Sequence, residues 1–242
     1  MLYMEKVAVV TGSAKGLGVA LASALIDEGY TLVIHYRKSK SEAQEVLLNI
    51  KKKASKSIIV QADLTDEIQV LRMFDEVFKT FGRIDLLVNN VGSFLYKKFS
   101  RMTTSEFKDL IESNVYSTLY CSSAVLSAMR KQKSGHIINI GVVGADRLNL
   151  LTKSAPYFYA KNGVNMLTKM MAHEEARYGI HVNMISPASL ETDIFKPVDF
   201  PMRRSARYDD VVKVLLFLIS SDAYYINGAN IEVAGGFIPG MK

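Results

Sequence analysis

Residues 11–18 read Thr11-Gly12-Ser13-Ala14-Lys15-Gly16-Leu17-Gly18, and the apolar run Val7-Ala8-Val9-Val10 stands directly before them. From Leu17 a helical periodicity continues to residue 28. A strand that turns through glycines into a helix is a device for holding an anion. Gly12, Gly16 and Gly18 permit positive φ or a close backbone approach to a ligand. The N–H groups at the helix start then face that anion, normally the pyrophosphate of a dinucleotide. No Gly-Lys-Ser/Thr triplet is present, so this is not a mononucleotide phosphate loop.

Outward from this loop, short apolar runs alternate with helical periods. Residues 7–10, 31–35, 57–60, 84–89, 136–140, 181–186 and 230–233 read as strands. They are short and mostly continuous, as strands buried on both faces are. Residues 17–28, 41–53 and 66–81 read as helices between them. In the last of these, Val70, Phe74, Val77 and Phe81 recur at three- and four-residue steps. Further helices are read at 104–130, bent or joined, at 156–178 and at 206–220. The alternation implies an α/β fold: one doubly wound, Rossmann-type domain over residues 1–242, with a parallel sheet of about seven strands and helices on both faces.

Composition narrows the function. Of 242 residues, 49% are hydrophobic and 22% charged, which excludes disorder and collagen-like repeats. The single cysteine excludes an internal disulfide framework and a cysteine-built metal cluster. No apolar run approaches the ~18 residues of a membrane span. The four-residue apolar run after Glu5 and Lys6 is too short for a signal-peptide core, so the expected location is the cytoplasm. The net charge of +6 is dispersed over residues 37–56, 97–101, 130–133 and 203–207, without a nucleic-acid-binding motif. His35, His136, His173 and His181 share no ligand spacing, so no metal site is expected.

At the end of the second strand, dinucleotide folds that prefer NAD commonly place a carboxylate on the adenosine ribose. This chain has Tyr36 and Arg37 there. A guanidinium binds a 2′-phosphate with two N–H donors, and Lys15 adds a second cation. The expected cofactor is therefore NADP(H).

Tyr157 and Lys161 are four residues apart near a helix start, hence on one face. A free tyrosine titrates near ~10, and a neighbouring ammonium is expected to lower that value toward the working range. At this point the chain resembles, over essentially its whole length, the classical short-chain dehydrogenase/reductase family. Residues 11–18 look like its glycine motif, and Asp63-Leu64 like its adenine-contacting pair. Asn89-Asn90-Val91-Gly92 looks like its sheet-steadying, cofactor-lining motif. Asn114 matches its relay asparagine, and Tyr157 with Lys161 its catalytic pair. Ser186-Pro187-Ala188 stands where Pro-Gly is usual, and Thr192 follows in the nicotinamide-side segment.

The pattern looks most like bacterial 3-oxoacyl-acyl-carrier-protein reductases, with pteridine reductases second. The resemblance implies that NADPH delivers hydride to a ketone carbon and that Tyr157 protonates the oxygen. Lys161 binds the ribose, and Asn114 completes a water relay. It also implies a homotetramer or homodimer formed through the helices at 104–130 and 156–178. Arg130, Lys131, Lys133 and Arg177 are candidates for docking an acidic acyl carrier protein. A binding protein with little or no catalysis is a third reading.

The pattern breaks in one place. Family members usually carry a serine just after the fifth strand that donates to the substrate carbonyl. Here Val142 aligns by motif and Gly144 by spacing, and neither side chain donates. The following loop offers Asp146, Asn149, Thr152 and Ser154 instead. Pteridine reductases place an aspartate in the serine's role, which directs attention to Asp146. Residues 193–207 also look shorter than a usual substrate lid, with Phe195, Phe200 and Met202 available to cover a pocket.

Overall fold

The computed structural model describes residues 5–148, 151, 153–190 and 200–240. Within these residues, strand and helix alternate as the hydrophobic periods require. The order is β1 (Lys6–Val10), α1 (Gly16–Asp27), β2 (Tyr30–Tyr36), α2 (Lys40–Ile50), β3 (Ile58–Gln61) and α3 (Glu67–Phe81). It continues with β4 (Leu86–Asn89), α4 (Thr104–Ile111), α5 (Ser117–Gln132) and β5 (Gly135–Ile140). Then come α6 (Ala155–Glu175), β6 (Ile180–Pro187), α7 (Tyr208–Leu218) and β7 (Asn230–Val233).

The strands form one parallel sheet in the order β3-β2-β1-β4-β5-β6-β7. Alternate residues of each inner strand face opposite sides. Ala8 and Val10 join Leu21, Leu25, Val211 and Leu215 on the α1–α2–α7 side. Val7 and Val9 join Phe74, Val77, Val125 and Met171 on the α3–α5–α6 side. β2 is buried at all seven positions, which is why its run is continuously apolar up to His35.

The chain winds outward from β1 to β3, then returns to place β4 on the other side of β1. In such sheets the ligand crevice lies outside the carboxyl ends of the strands, where the winding reverses. That point carries the glycine loop after β1 and residues 90–92 after β4. The expected long helix at 104–130 is interrupted by one π-helical turn at Glu112–Tyr116. π-turns concentrate at functional sites, and this one buries Asn114 completely.

Two buried histidines make stability depend on pH. Burial lowers His35 from 6.5 to about 4, and His136, stacked on His181 across β5 and β6, to about 4 as well. Between those values the unfolded chain binds protons that the folded chain does not. Each histidine therefore withdraws up to about 1.4 kcal/mol per pH unit as pH falls from 6.5 towards 4. Urea titrations at pH 7 and pH 5 are expected to show a lower midpoint at pH 5. The drop between the two pH values should be smaller in His136→Asn than in the wild type.

Candidate functional site

The glycine loop is held from both sides, by its neighbours and by its own Thr11 and Ser13 hydroxyls. Gly12 and Gly16 adopt φ of +65 and +55, the left-handed region. A Cβ on Gly18 would stand 2.3 Å from Gly12 O, so the first turn of α1 lies directly on the loop backbone. Gly12 N donates to His35 Nδ1 at 2.9 Å, and His35 Nε2 contacts Ala62 O at 3.1 Å. The ring therefore carries its proton on Nε2 and pins the loop to β2 and β3. From the other side, Asn90 Nδ2 donates to Thr11 O at 2.9 Å, while Asn90 N and Val91 N donate to Thr11 Oγ1. Lys15 precedes α1 without a side-chain cap, and the first turn holds no acidic residue. The positive end of a twelve-residue helix is thus matched to an anion from outside the chain.

Beyond the carboxyl end of β2, Arg37 Nη1 lies 3.5 Å from Asp63 Oδ2, and Lys15 Nζ lies 2.6 Å from Glu42 Oε1. The Lys15 ammonium holds the Glu42 carboxyl down to about 2. Tyr36 is buried, and Leu64 is buried beneath Asp63 in the α3-side core. Both cations are more than half exposed and remain able to turn towards a phosphate.

After β4, Asn114 and Lys161 meet at Gly92. A Cβ there would fall 2.3 Å from Asn114 Oδ1 and 3.1 Å from Lys161 Nζ. Asn114 Nδ2 donates to Ser93 O and Leu110 O, both at 3.0 Å, which turns Oδ1 towards Lys161. That Oδ1 is buried and unpartnered. Lys161 Nζ donates to Ile140 O at 2.7 Å and lies 5.9 Å from the Tyr157 ring centroid. Phe94 meets the Tyr157 ring edge-on at 4.9 Å. Tyr159 is 66% exposed and packs towards Phe107, so it takes no part.

The electrostatics correct one expectation. Packed protein pushes the Tyr157 phenol above its usual range, and burial brings the Lys161 ammonium down to about 8. Desolvation shifts both groups, and the ammonium is directed at Ile140 O. Tyr157 therefore holds its proton at neutral pH, which suits an acid rather than a base.

The serine position is apolar in space as well as in sequence. Val142 packs against Ala145, Val164 and Met184. Gly144 N donates to Glu232 Oε1. Asp146 is exposed and lies beside Arg147, which itself reaches Glu232. Pro187 closes β6 and accepts from Val143 N at 3.0 Å. Asn149, Thr152, Thr192 and Phe195 lie outside the described residues. Phe200 is buried against Phe237 rather than over a pocket, while Met202 is exposed. Arg130 is engaged by the buried carboxylate of Glu175, which removes it from the set of freely exposed cations. Among the described residues no group of His, Cys, Asp or Glu is placed to hold a metal ion, and no helix is long and apolar enough to cross a membrane.

Sequence reading passed over His35 as structural and did not single out Phe94. His35 carried no signal beyond its place at the end of a buried strand. Phe94 follows Gly92 by two residues, the only hint that it borders the site.

Comparison with known proteins agrees with this geometry. The family model described as short chain dehydrogenase matches residues 6–201. A 3-oxoacyl acyl-carrier-protein reductase, FabG, of Staphylococcus epidermidis is 35% identical, covering 96% of this chain and 99% of the relative. The FabG of Staphylococcus aureus is also 35% identical, over 97% and 99%. Among solved structures, a gluconate 5-dehydrogenase from Burkholderia cenocepacia in complex with NADP and tartrate superposes with a TM-score of 0.88. It is 28% identical over 96% of this chain and 94% of that one. ElxO with NADP bound gives a TM-score of 0.89 at 29% identity, over 96% and 98%.

Proposed function

The chain belongs to the short-chain dehydrogenase family, and from that premise we propose that it is an NADPH-dependent reductase of ketones of the β-ketoacyl thioester class. The observation that carries the reading is the convergence of Asn114 Oδ1 and Lys161 Nζ at Gly92, beside a Tyr157 that keeps its proton. The similarity to the FabG reductases supports the substrate class.

The residues present fit the cofactor. Gly16, Leu17 and Gly18 open α1 with no side-chain cap and leave their N–H groups for a pyrophosphate, and Gly12 shapes the turn beside them. Asp63 and Leu64 border the adenosine, with Lys15 and Arg37 at the ribose phosphate. Asn90, Val91, Gly92 and Pro187 line the way to the nicotinamide, and Thr192 is assigned to the same segment by resemblance alone. When bound, NADPH supplies the hydride that reduces the carbonyl carbon. As the C=O bond gives an electron pair to oxygen, Tyr157 Oη donates its proton there. Lys161 stabilises the phenolate left behind and holds the nicotinamide ribose. Asn114 Oδ1, unpartnered and facing Lys161, accepts from a relay water that returns a proton from solvent. Asp146, exposed beside Arg147, gives no support to a pteridine-reducing arrangement.

The assay is NADPH oxidation with an acetoacetyl thioester, a dihydropteridine and small ketones. Turnover of the thioester supports the reading, and turnover of the pteridine alone refutes it. The partner is an acyl thioester, free or on an acyl carrier protein docked by Lys131, Lys133 and Arg177. Exposed Tyr116 at the end of the π-turn, with Met166 and Met170 on α6, suits assembly into a homodimer or homotetramer.

Cofactor preference gives a separate test. A guanidinium–phosphate pair is worth about 1.5–3 kcal/mol, so NADPH should bind ~10-fold or more tightly than NADH. Arg37→Asp should reverse the preference, read as the ratio of the two Kd values by nucleotide fluorescence. Equal wild-type affinities would refute the assignment of Lys15 and Arg37.

A further inference from the structure

The family's serine is missing, yet the oxygen of a ketone that accepts hydride needs a second donor besides Tyr157. Val142 is closed into an apolar cluster, and Asp146 is exposed beside Arg147. Among the described residues of that loop, one hydroxyl remains in place.

Ser154 stands at the N-cap of α6 and is 5% exposed. An N-cap serine normally accepts from the N–H of the second or third helical residue. Here the second is Pro156, which has no N–H. The third is Tyr157, whose N–H already donates to Ser154 O at 3.0 Å. Both usual partners of the hydroxyl are thus removed, and Ser154 makes no side-chain cap bond. Ser154 stands three residues before Tyr157 and is tied to it by the Tyr157 N–H bond to Ser154 O at 3.0 Å. The residue one turn before the proton donor is a buried serine with an unused hydroxyl.

We propose that Ser154 is a catalytic residue whose Oγ–H donates to the substrate carbonyl oxygen, in the role that a loop serine fills in relatives. The inference rests on the ketone-reductase reading above. The hydroxyl gives up no proton: it strengthens its hydrogen bond as the oxygen gains negative charge, while Tyr157 supplies the proton. The donor has moved from the β5 loop to the head of α6, and this leaves position 142 available for an apolar side chain.

The test compares Ser154→Ala, Ser154→Thr and Asp146→Ala with the wild type on acetoacetyl thioester and a small ketone. Loss of one oxyanion donor lowers kcat by ~10²–10³-fold. Ser154→Ala is expected to lose kcat on that scale with NADPH affinity unchanged, which also reports that the variant is folded. Ser154→Thr keeps a hydroxyl and should recover most of the rate, and Asp146→Ala should keep all of it. Full activity in Ser154→Ala, with an active wild type, overturns the donor role and leaves the reaction assignment standing. A comparable loss in Asp146→Ala overturns it in favour of the loop acid. A wild type inactive on every ketone overturns both readings together.

Discussion

Tyr157→Phe is expected to abolish ketone reduction while NADPH binds as before. The ring keeps its edge-on contact with Phe94 at 4.9 Å, so packing is preserved and only Oη is lost. A positioned general acid contributes ~10²–10⁴-fold, and here no neighbour replaces it. Tyr159 has its own hydroxyl, but it is exposed on another face of α6. Lys161→Ala should differ in kind. It removes the bond to Ile140 O and the ammonium that stabilises the phenolate, so both turnover and cofactor affinity should fall. Stopped-flow absorbance of NADPH separates the two effects, since binding and hydride transfer are read in one trace. Retained turnover in Tyr157→Phe would refute the assignment.

Burial raises the Tyr157 phenol and brings the Lys161 ammonium down to about 8, so the phenol keeps its proton, in line with the proposed role of a proton donor. The sequence pairing of Tyr157 with Lys161 led to the opposite expectation for the tyrosine, because spacing reports proximity and not the loss of water.

Much of the fold was legible for a simple reason. In a parallel sheet covered on both sides, each strand is an apolar run and each crossover a helical period, so β1 to β7 stand out one by one. Boundaries moved by one or two residues, as at β2, which begins at Tyr30 rather than Thr31. The glycine loop was legible because its conformation demands glycine at Gly12 and Gly16. What could not be read were contacts made by the winding itself. His35 reaches Gly12 only because β2 lies beside β1, and Asn114 comes to Gly92 from within the π-turn. Nor could spacing show that Asp146 would be exposed and Ser154 buried. The two are eight residues apart in one loop, and only the start of α6 distinguishes them.

Gly18→Ala is expected to be the most damaging change outside the catalytic face. Gly18 has ordinary helical geometry, so backbone strain is not the issue. The difficulty is the added methyl, whose carbon would stand 2.3 Å from Gly12 O and 2.8 Å from Ser13 Cα. Both are main-chain atoms and cannot rotate aside. Gly12 is in turn held by His35 Nδ1, and Thr11 by Asn90, so the loop resists displacement from two sides. Either α1 shifts outward from β1 or the loop opens. Overpacking of this kind costs about 1–3 kcal/mol of stability. The loss of cofactor affinity should exceed that of folding, because the N–H groups that face the pyrophosphate belong to the segment that must move. A folded Gly18→Ala protein, by circular dichroism, should therefore bind NADPH at least ~10-fold more weakly than wild type. His35→Ala should weaken binding in the same direction by loosening one of the two anchors. If Gly18→Ala binds NADPH as wild type does, the cofactor does not lie on this loop, and the placement of every other group along it fails as well.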